Sequence, residues 1–313
     1  MEAVHLKKYF KTPHGMLHAV DDVSFSVEKG KTVGIVGESG CGKSTLGRTL
    51  IHLLESTDGK IYFHGEDITR VDAHQLHKLR ENMQIIFQDP FSSLNPRMTT
   101  SETIEEPLKL TKRYSSSEIQ EIAAKMMETV GLDERLRHAY PHELDGGRRQ
   151  RIGIARALIL NPEFVVCDEP VSALDVSIQA QILNLMQDLQ EERGFTYVFI
   201  THDLSVVRHI SDEICVMYLG QMIEKCGAKE LFENPIHPYT KALLSAIPVP
   251  DIHIQRKRII LKGEITSPVE PKPGCRFAAR CPYCKEECSE PQVLTDMGGG
   301  HLAACIRAKE ING

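Results

Sequence analysis

The sequence lacks three features that would each have pointed to a particular class of protein. No apolar run approaches the roughly 18 residues that a membrane-spanning helix requires. Basic residues are not in excess, since 37 Lys and Arg stand against 43 Asp and Glu for a net charge of −6, and this balance does not favour nucleic acid as a partner. The first residues lack the charged and apolar regions of a signal peptide. We therefore expect a cytoplasmic protein that does not bind nucleic acid.

The stretch Gly37–Thr45 fits the phosphate-loop pattern of Gly, four variable residues, Gly, Lys and Ser or Thr. An apolar run at 32–36 precedes it and helix-compatible residues follow, which is the strand–loop–helix context that the motif requires. Glycines let backbone N–H groups surround an anion, and the helix N-terminus adds a favourable dipole. Lys43 can reach the β- and γ-phosphates, and Ser44 can bind Mg²⁺. The predicted ATP contacts are Gly37, Ser39, Gly40, Cys41, Gly42, Lys43, Ser44 and Thr45.

Strand-like and helix-like segments alternate along the chain, which predicts an α/β fold with a parallel sheet. Three polar residues, Gln88, Asp168 and His202, each follow a predicted strand. In such sheets ligands bind beyond the carboxyl ends of the strands. We therefore expect these side chains at the same sheet edge as the phosphate loop.

Residues 92–161 interrupt this alternation and predict a mostly helical insertion. The segment Glu118–Val130 has helical periodicity, with Ser116 or Ser117 as its N-cap. Its apolar side comprises Ile119, Ile122, Ala123, Met126, Met127 and Val130.

Tyr9 and Phe10 are adjacent aromatic residues ahead of the first nucleotide-binding strand. For either of them, a plain role in the core is the default interpretation. Their position also allows a second role, stacking on a base, which contributes roughly 1–3 kcal/mol where it occurs.

Five of the nine cysteines crowd the last forty or so residues, at Cys275, Cys281, Cys284, Cys288 and Cys305. Clustered thiols in a reducing compartment favour a metal over disulfides. Only one pair has the C-x2-C spacing typical of zinc sites. Zinc and an iron–sulfur cluster would each accept four thiolates, so the spacing leaves both open.

Several motifs, in order, resemble the nucleotide-binding subunit of an ATP-binding cassette (ABC) transporter. They are the phosphate loop, Gln88, the signature segment Leu144–Arg151, the acidic pair Asp168 and Glu169, the segment Ser172–Asp175, and His202. The resemblance implies a P-loop NTPase fold with a RecA-like parallel core, an N-terminal antiparallel β part and a helical subdomain at about 92–161. It predicts a cassette at 1–232 and a C-terminal extension at 233–313.

The resemblance also implies a role for each motif. Asp168, Ser44 and Gln88 would hold Mg²⁺, and Glu169 would activate the water that attacks the γ-phosphate. His202 would hydrogen-bond that phosphate. Phe10 is the preferred residue for stacking on adenine, with Tyr9 second. Asp175 would belong to the loop that contacts a second cassette.

The signature segment departs from the family pattern Leu-Ser-Gly-Gly-Gln. Its residues are Leu144, Asp145, Gly146, Gly147 and Arg148. In the family this segment contacts the γ-phosphate bound by the opposite subunit, so the carboxylate of Asp145 is unfavourable unless a cation intervenes. Arg148 could supply that cation and even assist phosphoryl transfer. We expect an asymmetric pair of sites, and a heterodimer with a sister ATPase rather than a homodimer.

The C-terminal part resembles the oligopeptide, dipeptide and nickel branch of ABC importers, through residues 232–243 and 268–288. This resemblance implies a 4Fe–4S cluster, which we prefer over zinc. The implied ligands are Cys275, Cys281, Cys288 and Cys305, with Cys284 as a possible substitute.

The expected function is that of an ATPase subunit that powers import of oligopeptides or dipeptides. Its expected partners are two permease subunits, the sister ATPase and, indirectly, an extracytoplasmic binding protein, and its expected place is the cytoplasmic face of the membrane. We expect the permease to dock on the region from Gln88 to about Leu110. Two alternatives stay open: nickel or oligosaccharide as cargo, and a soluble ABC ATPase with no transport role.

Overall fold

The computed structural model of the protein describes residues 1–247, 258–261, 263 and 267–313. Its strands are β1 Glu2–Thr12, β2 Gly15–Ser26, β3 Thr32–Val36, β4 Asp58–Phe63, β5 Glu66–Asp67, β6 Met83–Ile86, β7 Phe164–Asp168, β8 Thr196–Ile200, β9 Glu213–Tyr218, β10 Gln221–Gly227, β11 Thr295–Asp296 and β12 Leu302–Ala303. Its helices are α1 Lys43–Leu50, α2 Ala73–Asn82, α3 Pro90–Ser93, α4 Thr100–Thr111, α5 Ser116–Thr129, α6 Gly146–Leu158, α7 Val176–Arg193, α8 Leu204–Ile210, α9 Ala228–Glu233, α10 Pro238–Ser245 and α11 Ala308–Asn312.

The described residues form two compact units. Unit 1 comprises Met1–Val27, Thr32–Arg70 and the described part of Phe199–Gly313, and unit 2 comprises Glu28–Lys31 and Val71–Val198. The C-terminal segment, by which we mean the described residues of 233–313, therefore belongs to the same unit as the N-terminal strands. The predicted boundary between residues 232 and 233 stays a prediction.

Unit 1 contains an antiparallel sheet of order β2-β1-β4-β5, and strands in the order β11-β12-β10-β9-β3. Strand β3 runs parallel to β9, with Val36 opposite Val216. All five residues of β3 are buried, as a parallel strand covered on both faces should be. The C-terminal segment joins this framework through β12, which pairs with β10. The predicted N-terminal antiparallel part is confirmed.

Unit 2 contains β6, β7 and the first three residues of β8. Strands β6 and β7 are parallel, with Met83 opposite Phe164 and Ile86 opposite Cys167. Because the two strands run in the same direction and in register, the residues that follow each of them emerge at one edge. The predicted parallel α/β core is confirmed.

The predicted insertion at 92–161 consists of helices and short 3-10 turns, without a strand. Helix α5 begins one residue earlier than the proposed caps allow. Ser115, not Ser116 or Ser117, is its N-cap, and the Ser115 hydroxyl and Glu118 carboxylate exchange hydrogen bonds with each other's backbone. The expectation was wrong because this reciprocal capping box pairs a serine with the acidic residue three positions later.

A buried carboxylate anchors the C-terminal segment in unit 1. Glu224 has no exposed surface. It accepts hydrogen bonds from the backbone N–H groups of Ile236 and His237 at 2.7 and 2.9 Å, and its Oε1 lies 2.8 Å from Nε2 of His301. Buried charges require such partners, so Glu224 fixes the segment that leads into α10.

His237 makes the stability of this anchor depend on pH. Its Nδ1 accepts the backbone N–H of Tyr239 at 3.1 Å and so caps α10. Burial lowers the pKa of His237 to about 4. Because the unfolded residue titrates near 6.5, this site's contribution is complete above pH 6.5 and falls by up to ~3 kcal/mol as the pH drops towards 4.

We therefore expect His237→Asn, which keeps a capping acceptor, to flatten the fall in stability between pH 6.5 and 4. Denaturant unfolding across that range measures the effect. The matched control is His14→Asn, at an exposed position, which should keep the wild-type slope. An equally steep slope in His237→Asn would contradict the assignment.

Candidate nucleotide-binding site

The phosphate loop connects β3 to α1 in unit 1, and two of its glycines are required by close contacts. Gly37 and Gly42 have φ values of 153° and 104°, which L side chains rarely adopt. A Cβ atom at Gly37 would lie 2.2 Å from the carbonyl oxygen of Met217, and one at Gly42 would lie 1.9 Å from that of Ala19. Only glycine fits at these positions, because the loop backbone packs directly against the carbonyl groups of Met217 and Ala19.

Lys43 brings a positive charge into this loop. Only 4% of the residue is exposed, and its Nζ donates to the carbonyl oxygens of Gly37 and Glu38 at 2.8 and 3.1 Å. Because these are loop carbonyls, the ammonium group lies inside the loop. The other predicted contacts are distributed as follows: Cys41 buried, Gly42, Ser44 and Thr45 partly buried, and Ser39 and Gly40 exposed.

Glu38 is tied to the C-terminal segment by contacts that the sequence reasoning missed. Its backbone N–H donates to the hydroxyl of Tyr239 at 2.9 Å. Its carboxylate accepts two hydrogen bonds from the guanidinium of Arg280, at 2.7 and 3.1 Å. In the sequence, the motifs around Tyr239 and Arg280 indicate only a branch of the family. Their contact with the loop depends on folding across more than 200 positions, so no local pattern signals it.

The two candidate aromatics have different surroundings in unit 1. The ring of Tyr9 stacks on His18 with centroids 3.9 Å apart, and its hydroxyl donates to Asp21. Phe10 is partly buried, and the Nζ of Lys8 lies 5.0 Å from its ring centroid. Both rings therefore have a neighbour in unit 1, and the choice of Phe10 over Tyr9 for stacking on adenine stays a prediction.

His202 lies two residues beyond the end of β8 and is exposed. The next residue, Asp203, caps α8 by accepting the backbone N–H of Ser205 at 2.8 Å. The histidine is therefore held between a strand end and a capped helix, the position that the sequence predicts for it.

The acidic pair lies at the end of β7 in unit 2. Asp168 is the last residue of that strand and has no exposed surface. The carboxylate of Glu169 accepts a hydrogen bond of 2.8 Å from Nε2 of Gln88, which follows the neighbouring strand β6. Glu169 has a positive φ of 49°, an uncommon conformation that often marks functional sites. The structure thus brings Gln88 and Glu169 together, as parallel neighbouring strands predict.

The signature segment begins helix α6, and Asp145 is its N-cap. Its carboxylate accepts the backbone N–H of Arg148 at 2.8 Å, as a serine hydroxyl at this position could. The Arg148 guanidinium lies 3.4 Å from the other oxygen of Asp145, with both side chains about half exposed. Leu144 is buried, and Gly146 and Gly147 form the first turn. The replacement therefore keeps the helix cap and adds a weak ion pair.

Asp175 occupies the N-cap position of α7, although its side chain makes no capping hydrogen bond. The preceding loop is held instead by Gln179, whose amide donates to the carbonyl oxygens of Val171 and Leu174 at 3.0 and 2.9 Å. The segment therefore has a defined shape that does not depend on the Asp175 carboxylate.

The sequence model of the ABC transporter family matches residues 20–172. The oligopeptide transport ATP-binding protein AppF of Bacillus subtilis (strain 168) is 52% identical over 97% of this chain and 96% of its own length. The chain belongs to the ABC transporter ATPase family. A second model, described as the C-terminal region of oligopeptide/dipeptide transporters, matches residues 223–288.

A second relative and a solved structure support the assignment of the chain to the ABC ATPase family. The dipeptide transport ATP-binding protein DppF of Escherichia coli (strain K12) is 49% identical over 98% of this chain and 93% of its own length. A dimeric ATP-binding cassette solved with ADP and Pi superposes with a TM-score of 0.67 at 30% identity, over 72% of this chain and 98% of the other. The predicted fold and ATPase activity are thus confirmed at the level of the family.

The C-terminal cysteines of this ABC ATPase lie in unit 1. Cys288 is buried, Cys284 is exposed, and Cys275, Cys281 and Cys305 are partly buried. Burial, followed by the charges of Cys288, Cys305 and Cys281, raises the pKa of the Cys275 thiol to about 12.

The fit of these thiols to a metal centre is incomplete. Within the described ranges, no three His, Cys, Asp or Glu side chains are grouped as a bound metal ion would require. The 4Fe–4S cluster and the zinc alternative therefore gain no direct support from the geometry. A zinc site needs every sulfur at roughly 2.3 Å from one ion, whereas a cluster distributes four thiolates over four irons.

No helix in the described part of the ABC ATPase is long and apolar enough to cross a membrane.

Proposed function

We propose that this ABC ATPase binds and hydrolyses ATP to power import of oligopeptides or dipeptides through a membrane permease. The observation that carries the proposal is the combination of a nucleotide-binding cassette with the region at 223–288 described as that of oligopeptide/dipeptide transporters. Relatives named for oligopeptide and dipeptide transport match nearly the whole chain. In this role the protein binds peripherally to the cytoplasmic face of the membrane.

The residue roles in the proposed reaction are those that the resemblance to the ABC family implies. The loop amides and Lys43 bind the phosphates, and Phe10 stacks on adenine. Asp168, Ser44 and Gln88 hold Mg²⁺, which suits their oxygen donors. His202 contacts the γ-phosphate.

Hydrolysis requires a group that activates water, and Glu169 takes that role. Its carboxylate is held by the Gln88 amide at 2.8 Å, so the base is oriented before the water arrives. Positioned general bases contribute typically ~10²–10⁴-fold in rate. Because Gln88 also begins the segment proposed for permease docking, movement of that segment would shift the base.

A groove in unit 2 is the proposed docking site for the permease. It has a volume of about 590 Å³, and its lining includes His77, Arg80, Phe87, Pro107, Leu110 and Arg156. Leu110 is 67% exposed, and a partner helix bound in the groove would cover this side chain. Because Glu81 and Glu106 also line the groove, its apolar side chains stand beside charges of both signs, which suits a short amphipathic segment.

Two cassettes would enclose two ATP molecules, with each signature segment completing the site of the other chain. Asp145 presents a half-exposed carboxylate at the start of α6, where the family contacts the γ-phosphate. Arg148 offsets that charge only weakly, because the pair is exposed to solvent. We therefore favour a heterodimer in which a sister ATPase carries the more active signature.

The double variant Asp145→Ser with Arg148→Gln should raise the ATPase rate of the assembled transporter. Serine keeps the N-cap and removes the negative charge that faces the γ-phosphate. Steady-state phosphate release by the complete complex measures the effect, with Asp133→Ser plus Arg135→Gln as a control pair on the same unit's surface. An unchanged rate in the signature variant would refute the proposed asymmetry.

We also propose that the C-terminal thiols hold a 4Fe–4S cluster, with Cys275, Cys281, Cys288 and Cys305 as ligands. The support is the match of residues 223–288 to the C-terminal region of oligopeptide/dipeptide transporters, the branch whose resemblance implies the cluster, and the suitability of four thiolates. When bound, such a cluster would crosslink the loops that carry these cysteines, and the four thiols would release their protons to solvent.

Anaerobically purified protein should contain about four iron and four sulfide per chain. Cys288→Ser should lose them, whereas Cys284→Ser, at the exposed thiol, should keep them. One equivalent of zinc without iron would overturn the cluster in favour of the alternative. Retention of iron by Cys288→Ser would overturn the ligand set.

The rival functions differ in partner and cargo. A soluble ABC ATPase without a transport role would not copurify with a polytopic membrane protein, whereas the proposed subunit should. Nickel or oligosaccharide importers would copurify with a permease but would transport other cargo. Affinity purification from solubilised membranes, followed by transport assays with each cargo, separates the three.

A further inference from the structure

Glu38 is an acidic residue inside a loop that binds a polyanion. It directly follows Gly37, and its carbonyl oxygen accepts a hydrogen bond from Lys43 at 3.1 Å. Its carboxylate therefore lies on the first turn of the loop that is proposed to bind the triphosphate. An uncompensated negative charge there would repel ATP.

Arg280 neutralises the negative charge of Glu38. Both terminal nitrogens of its guanidinium donate to the two oxygens of Glu38, at 2.7 and 3.1 Å. The side chains of Arg280 and Glu38 are only 9% and 23% exposed, so solvent screens the pair little. Bidentate contacts of this kind fix the relative orientation of the two side chains and also neutralise their charges.

We propose that Arg280 is a positioning residue for ATP binding, acting from the C-terminal segment through Glu38. The inference rests on the proposed function, because it concerns the affinity of that nucleotide site. Arg280 neutralises the Glu38 carboxylate and fixes the start of the phosphate loop.

The surroundings of Arg280 explain how a distant segment can hold this position. Phe277 is fully buried and packs edge-on against Tyr218 and Tyr239, with ring centroids 5.3 and 5.4 Å apart. Tyr239 in turn accepts the backbone N–H of Glu38. One aromatic cluster therefore anchors both the arginine-bearing loop and the tyrosine that contacts the phosphate loop.

Arg280 also directly precedes Cys281. The position of the guanidinium therefore depends on how the cysteine-bearing loop is folded, whatever the cysteines bind. The C-terminal segment is in this way a part of the nucleotide site and not only an attachment to it.

The test compares ATP affinity in Arg280→Met, Glu38→Gln and the double variant. Arg280→Met should weaken binding of ATP by about tenfold, since it leaves a partly buried carboxylate unpaired beside the phosphates. Glu38→Gln in the same chain removes that carboxylate, so the double variant should bind ATP more tightly than Arg280→Met alone. Arg280→Lys, which keeps the charge, should lie between Arg280→Met and the wild type.

Equilibrium titration with a fluorescent ATP analogue measures affinity, and thermal melting in its absence reports folding. Steady-state assays should show a raised KM for ATP and a nearly unchanged kcat. Lys285→Met, from the same segment and paired with Glu310, is the control and should bind like the wild type. Wild-type affinity in Arg280→Met would overturn the inference, and so would failure of Glu38→Gln to improve binding in the double variant. Failure of the wild type itself to bind ATP would instead overturn the proposed function.

Discussion

Glu169→Gln is expected to bind ATP as the wild type does and to hydrolyse it at least ~100-fold more slowly. The amide has almost the same shape as the carboxylate but cannot accept a proton from water. The hydrogen bond from Gln88 at 2.8 Å can be kept by the amide oxygen of the new side chain. The loss should therefore fall on kcat, measured by phosphate release, with ATP affinity preserved.

The matched control for this variant is Glu163→Gln, at the residue that precedes the same strand β7. Glu163 pairs with Lys29 on the surface of unit 2, so its loss should leave turnover intact. Normal turnover in Glu169→Gln would refute the assignment of the base. Equal loss in both variants would point to damage of the strand rather than of the chemistry.

Lys43→Ala is expected to abolish measurable ATP binding. The ammonium group lies inside the phosphate loop, with 2.8 and 3.1 Å hydrogen bonds to two loop carbonyls. Its removal deletes the positive charge inside the loop and leaves those two carbonyl oxygens without this donor. Losing a hydrogen-bonded charge from such a site costs ~2–5 kcal/mol, or roughly 30- to several thousandfold in affinity.

Titration with labelled ATP checks this result, and Lys29→Ala is the control because that lysine is 72% exposed in its side chain. Circular dichroism and thermal melting show whether the loop variant remains folded. A folded Lys43→Ala protein with wild-type affinity would exclude the loop as the principal phosphate site.

The sequence was sufficient to predict those elements whose structure depends on neighbouring residues along the chain. Strands β3, β7 and β8 are continuous apolar runs that can only be buried, and each lies where its pattern predicts. The contact between Gln88 and Glu169 could be anticipated because both follow strands of one parallel sheet. The signature segment is an intermediate case. The sequence predicts an unfavourable charge at Asp145 unless a cation intervenes, yet aspartate is among the best N-cap residues, and Asp145 caps α6 in the structure.

Sequence reasoning failed where the contact joins distant parts of the chain. Glu38 and Arg280 are 242 positions apart, and neither belongs to a pattern that requires the other. Likewise, the sequence motif around His237 and Tyr239 indicates only a branch of the transporter family. In the structure it caps a helix and places a hydroxyl against the phosphate loop. Only tertiary packing reveals that role.

The most direct test of the account is ATP-dependent uptake of a labelled oligopeptide into proteoliposomes that contain the complete transporter. With wild-type protein, peptide should accumulate only when ATP is supplied on the side of the ATPase and binding protein on the other. The same vesicles with Glu169→Gln should accumulate almost none. Uptake that continues undiminished with Glu169→Gln, or hydrolysis of ATP by an assembled wild-type complex that moves no peptide, would contradict the account.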